Sequence, residues 1–129
     1  MWAQFQYRCE LFRLQEPADD LPPRIKRVMK YIDQHYAQDM SIQDLADLVQ
    51  LSGSHLHARF REWTGITPHQ YLIGQRMREA RHRLVTTSDP IKAIADQVGY
   101  ANTENFCRAF KKQFRSTAAN YRRNYTIYP

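Results

Sequence analysis

An internal echo constrains this chain more than any other feature. In IQDLADLVQLSGSHLHARFREWTG and IKAIADQVGYANTENFCRAFKKQF, Ile42, Ala46, Val49 and Leu51 return as Ile91, Ala95, Val98 and Tyr100, 49 positions later. Leu56 and Phe60 return as Phe106 and Phe110 at an offset of 50, so the second copy holds one more residue in its turn. Apolar positions at these spacings describe a short helix, a tight turn and a second helix, the layout of a helix-turn-helix. A small residue at Ala46 or Ala95 lets the two helices cross closely, and Gly99 supplies a turn conformation that bulkier residues resist. The apolar pair spaced by four on each second helix pins one face to a core and leaves the opposite face free. One such unit is a common packing motif. Two of them in 129 residues are a much narrower signal.

The remaining chain is helical in pattern as well. RIKRVMKYIDQHY places Ile25, Val28, Met29, Ile32 and Tyr36 on one stripe, after the stop PADDLPP. SIQDLADLV opens with Ser41 as N-cap and Asp44 in the first turn, and is expected to bury Ile42, Leu45, Ala46 and Val49. The next helix ends at Thr64–Gly65, where glycine takes the left-handed position cheaply. Trp63, beside that end, is expected to cover the core. Thr67 and Pro68 then form an N-cap and a first helical position, from which a helix runs over 68–86, about 27 Å at ~1.5 Å per residue. Tyr71, Leu72, Met77, Ala80 and Leu84 face inward on it, with Arg76, Arg78, Arg81 and Arg83 dispersed around it. Asp89–Pro90 starts another helix, and Thr117 caps a short terminal one, AANYRRNY.

These elements predict an all-α fold. Two helix-turn-helix subdomains, at about 22–65 and 88–124, are joined by the long central helix 68–86 within a unit spanning 21–129. Residues 1–20 read as a linker or as the remnant of an upstream domain, and the spacing over residues 1–16 fits a helix with Trp2, Phe5, Cys9 and Phe12 on one side.

Composition narrows the partner. The formal charge is +6, and residues 1–20 carry two arginines against four acidic groups, which leaves +8 on the remainder. A basic globular body favours an anionic partner, with nucleic acid ahead of a membrane surface. Cys9 and Cys107 are far apart and form no CxxC, which fits a reducing interior better than a disulfide scaffold. No apolar run approaches the ~18–20 residues that span a bilayer, and no signal-peptide pattern opens the chain. The expectation is a soluble protein of the cytoplasm.

Metal and enzyme chemistry find little support. His55 and His57 stand about 200° apart around a helix, whereas paired helical ligands sit four residues apart, as in HExxH. No cysteine or carboxylate completes a set. No glycine-framed nucleophile, phosphate loop or coherent carboxylate pair occurs either. The chain is read as a non-enzyme needing no cofactor and no metal.

From about Pro22 to Arg123 the chain resembles the DNA-binding domain of the AraC/XylS family of bacterial transcription regulators. The phrases that carry the resemblance are LADLVQLSGSHLHARFREWTGITPHQYL, RMREARHRL, PIKAIADQVGYANTENFCRAFKKQF and YRR. The resemblance implies two recognition helices, 54–63 and 103–114, entering successive major-groove windows on one face of double-stranded DNA. A rod of ~27 Å with flanking helices is independently suited to hold two readers about one duplex turn, ~34–36 Å, apart. Because the halves differ in sequence, the site read should be asymmetric.

The outward arcs name the contacts. On the first helix they present Ser54, His57 and Ala58 to base edges, with His55 at the shoulder. On the second they present Thr103, Glu104, Cys107 and Arg108. Arg108 is suited to donate bidentately to guanine O6 and N7, and the family pattern has an arginine there too. Ala58 departs from that pattern, which suggests either a methyl contact to thymine beside His57 or that Arg59 and Arg61 take phosphates instead. Glu104 fits a cytosine contact or the helix macrodipole equally well. Cys107 fits a small contact or packing residue better than a redox sensor. Arg59, Arg61, Lys111, Lys112, Arg115 and Arg122, with Arg123, form the expected phosphate rim, and Arg59 lays its stem over the core. Gln50 stands where the family's turn has glycine, and glycine and proline are missing around Arg115 and Ala118.

The resemblance implies an upstream sensor or dimerisation domain, which relatives usually carry; that domain and RNA polymerase join duplex DNA as expected partners, in a bacterial cytoplasm and on the nucleoid. The competing reading is a helical protein–protein interaction module whose basic face binds an acidic partner.

Overall fold

The computed structural model describes residues 21–126. The expectations for residues 1–20 lie outside them. The order is α1 (Pro23–His35), α2 (Ile42–Leu48), α3 (Gly53–Thr64), α4 (Pro68–Thr86), α5 (Ile91–Gln97), α6 (Thr103–Phe114) and α7 (Ala118–Tyr125). No strand occurs among the described residues, so the fold is all-helical.

Local chemistry sets the helix starts. Ser41 Oγ accepts from Asp44 N at 3.0 Å while Ser41 N donates to the Asp44 carboxylate at 2.9 Å, a reciprocal cap that satisfies two orphan donors. Thr67 and Gln70 form the same box at the head of α4, where Pro68 occupies the first turn. Ser52, Asn102 and Thr117 cap α3, α6 and α7 by accepting from the amide three residues on.

Left-handed residues make the stops and turns. Gly65, at φ 82°, closes α3 with its amide on Arg61 O. Arg115 closes α6 at φ 58°, and Gln50 holds the turn between α2 and α3 at φ 59°. A side chain in that region costs roughly 1–2 kcal/mol, so both places where glycine is missing carry strain that the packing overrides.

Two cores form, and α4 belongs to both. Leu21, Ile25, Val28, Ile32, Leu45, Ala46, Val49, Leu56, Phe60 and Ile66 pack with Tyr71 and Leu72 of α4. Met77, Ala80 and Leu84, further along α4, pack with Ile94, Ala95, Val98, Phe106, Phe110 and Ala118. The rod is therefore a shared wall rather than a bare connector, which explains why its apolar residues spread round a wide arc.

Two side chains sit differently from the sequence expectation. Ile42 is 39% exposed, because it is the first residue of a seven-residue helix and overhangs the core edge that Leu45 and Ala46 fill. Trp63 is 43% exposed and covers little. The inward stripe of α3 runs Leu56, Phe60, Thr64, and the buried Thr64 hydroxyl donates to Phe60 O at 2.8 Å.

Four arginines act as internal ties. Arg76 Nε donates to Tyr36 O at 2.6 Å and Nη2 to Gln38 O at 3.0 Å. Arg83 donates to Glu79 at 3.1 Å and also to Gln97, whose amide reaches Asp89. Arg81 lies over the Phe114 ring at 5.0 Å. Arg122 of α7 donates Nε to Leu84 O at 3.0 Å and Nη2 to Thr87 O at 3.2 Å, satisfying carbonyls that the end of α4 leaves open.

Candidate nucleic-acid interface

In α3 the burial of Leu56 and Phe60 fixes which face points out. Ser54, His57, Ala58 and Arg61 are all exposed on that face. His55 lies to one side with Arg59, where the two line a depression shared with Pro22, Pro23, Ile25 and Leu51. His57 borders a smaller apolar hollow made by Met40, Ile42, Leu45, Pro68, His69 and Leu72. Arg59 stands 3.5 Å from Glu62, with both side chains more than half exposed. Such a pair contributes at most about 1 kcal/mol, so a phosphate can displace the carboxylate at little cost.

In α6 Phe106 and Phe110 do the same orienting work. Phe110 is enclosed by the rings of Phe106, Phe114 and Tyr121, at 5.9, 4.6 and 5.7 Å between centroids. Glu104, Cys107, Arg108 and Lys111 are exposed opposite them. Thr103 is half-buried, beside a shallow depression lined by Tyr100 and Ala101. Cys107 carries a free thiol. Glu104 in the first turn and Lys111 and Lys112 in the last oppose the partial charges of the helix ends, which steadies α6 in the absence of any partner.

Arg108 Nη1 donates to Asn105 Oδ1 at 3.3 Å. Apolar periodicity does not single out Asn105, although its spacing of three from Arg108 is the signal that pairs the two. The pair is long and exposed, so a better acceptor can replace Asn105.

Lys111, Lys112, Arg115 and Arg123 are exposed around the C-terminal end of α6 and along α7. Arg122 belongs to a different class. It is half-buried, and its guanidinium donates to the carbonyls of Leu84 and Thr87, so it clasps α7 to the end of α4. Among the described residues, no three His, Cys, Asp or Glu side chains gather where they could hold a metal ion. No helix there is long and apolar enough to cross a membrane.

Comparison with known proteins places this geometry. Residues 45–124 match the family described as a helix-turn-helix domain. The HTH-type transcriptional activator RhaS of Enterobacter sp. (strain 638) is 31% identical over 101 residues, covering 78% of this chain and 36% of the relative. The C-terminal domain of AraT, a response regulator from Geobacillus stearothermophilus, superposes with a TM-score of 0.81 at 32% identity, covering 84% of this chain and 90% of that one. The DNA-binding domain of AdpA, a global transcriptional factor solved in complex with a target DNA, superposes with a TM-score of 0.76 at 27% identity, covering 81% and 94%. The match thus spans between 13% and 42% of the length of the curated relatives, 36% for RhaS of Enterobacter.

Proposed function

Because the chain belongs to the AraC/XylS family of helix-turn-helix DNA-binding domains, we propose that it is the sequence-reading part of a transcription regulator, with α3 and α6 entering successive major-groove windows. Ser54, His57 and Ala58 meet base edges in one window, and Thr103, Glu104, Cys107 and Arg108 in the other. Arg59, Arg61, Lys111, Lys112, Arg115 and Arg123 neutralise flanking phosphates. The observation that carries this reading is the matched construction of the two helices: each is pinned by a buried apolar pair and turns an exposed polar, basic face outward.

The family is one of DNA-binding regulators, which is not an enzyme class; the reading extends to this chain having no catalytic role and requiring no cofactor. Activation of transcription, contact with RNA polymerase, cooperation with a sensor or dimerisation domain and a bacterial cytoplasmic location belong to the same proposal.

Selection from a pool of random duplexes tests it. The expected result is enrichment of an asymmetric motif in two segments. Salt-sensitive retention without a motif, or no retention, contradicts it and favours an acidic protein as partner instead.

On the selected duplex, Arg108→Ala is expected to weaken binding by about 1–3 kcal/mol and relax preference at one base position, as the loss of a bidentate guanine contact does. Titration against the selected duplex and its single-base variants reads this out. An equal loss on every variant would reassign Arg108 to a phosphate.

A further inference from the structure

The two cores meet at one joint. Arg76 lies on α4 between Leu72, which packs in the first core, and Met77, which packs in the second. Its guanidinium reaches back to the carbonyls of Tyr36 and Gln38, just past the end of α1. The same group lies over the ring of Tyr100, in the turn between α5 and α6, at 5.4 Å. Tyr36 itself packs against both cores.

Gly99 seats this turn against the first unit. A Cβ placed there would come within 2.9 Å of Ala37 O, 3.0 Å of Ala37 Cα and 3.0 Å of Arg76 Cζ. Two of those neighbours are backbone, which gives way least. The turn of the second helix-turn-helix is thus pressed directly onto the chain that leaves α1 of the first. Gly99 has two reasons to be glycine: its φ of +104° and this approach.

A helix shared by two units fixes where each begins, but a single α-helix leaves their mutual tilt and twist to bending of the rod. A planar donor that grips two carbonyls from one unit and a ring from the other removes that freedom. We propose that Arg76 is a positioning residue. Clamping Tyr36, Gln38 and Tyr100 together, it holds α3 and α6 at the separation and phase in which both engage one duplex. This inference rests on the two-window reading above.

The test separates the two claims by first using the free protein. Nitroxide labels go on native Cys107 of α6 and on Glu62→Cys of α3, with Cys9→Ser removing the other thiol, and electron–electron resonance records their distance distribution. One narrow population is expected for this labelled background, and a broadened or shifted one when Arg76→Met is added, since Met keeps the stem and loses the fork. Arg76→Lys, a milder change that cannot span both carbonyls as a rigid fork, is expected to fall between them and covers the case in which the Met variant fails to fold.

Unlabelled proteins then meet the selected duplex with its two segments at the native spacing or one base pair further apart. Native protein is expected to lose about tenfold or more on the longer spacer, as for a contact set broken in one window. The Arg76→Met variant is expected to bind isolated half-sites as the native protein does and to discriminate between spacers by threefold or less. An unchanged distance distribution, or unchanged spacer discrimination even with a lower melting temperature, overturns the proposal without touching DNA recognition. Failure to select any motif would overturn the two-window reading while the distance measurement still reports on the clamp.

Discussion

Phe110→Ala is expected to lower the unfolding free energy by about 3–5 kcal/mol, the largest single effect foreseen for this fold. Phe110 is fully buried and touches three aromatic rings, from α6 itself and from α7. Removing it takes away apolar transfer energy and leaves a void that Phe106, Phe114 and Tyr121 cannot all move to fill. Domains of this size are stable by only about 5–15 kcal/mol, so the loss is a substantial fraction of the whole.

The division of the core makes the consequence local as well as global. Amide exchange protection should fall first in α5, α6 and α7, because those helices share the second core with only the far end of α4. Helices α1, α2 and α3 keep their own core around Phe60 and should stay protected longer. Urea titration followed by circular dichroism gives the magnitude, and exchange mass spectrometry gives the location. A shift below 0.5 kcal/mol, the scale of an exposed substitution, would show that the second core is not built around this ring.

The second large effect is electrostatic. Six exposed basic side chains, Arg59, Arg61, Lys111, Lys112, Arg115 and Arg123, surround the proposed contact faces. If about six phosphates are neutralised, the logarithm of the binding constant falls against the logarithm of salt concentration with a slope of about −5, since each contact releases condensed counterions. Between 50 and 200 mM salt that amounts to roughly a thousandfold loss of affinity. Arg122→Gln should leave the slope nearly unchanged while lowering stability, because its guanidinium serves Leu84 and Thr87 rather than the rim. A slope near zero in the native protein would remove the phosphate contacts from the account.

Much of this organisation is legible in the residues because it is local. The spacing of Leu56 and Phe60, and of Phe106 and Phe110, states which face of each second helix is buried, and the structure buries all four. Caps at Ser41, Thr67 and Thr117 follow from chemistry within three residues, and the absence of glycine at Gln50 and Arg115 marks the two side chains forced to positive φ.

Periodicity fails where the answer depends on distance from the core rather than direction. Ile42 and Trp63 have the composition of core residues, yet one overhangs a helix start and the other lies outside the stripe that ends at Thr64. It also fails for partners remote in the chain. Arg76 bonds carbonyls 40 and 38 positions away, and Arg122 bonds carbonyls 38 and 35 positions away, with nothing near them in sequence to separate a clasp from a surface charge. The basic rim and the internal ties both draw on arginine, and only the fold sorts one arginine from another.

The most direct test of the whole account is a missing-contact footprint on the selected duplex, in which the loss of each single base is scored for its effect on binding. Two clusters of sensitive bases, facing the same side and about one helical turn (~10 base pairs) apart, are the predicted result. Arg108→Ala should erase part of one cluster, and His57→Ala part of the other. A single cluster, or two that face opposite sides of the duplex, would contradict reading by both helices of one rigid body.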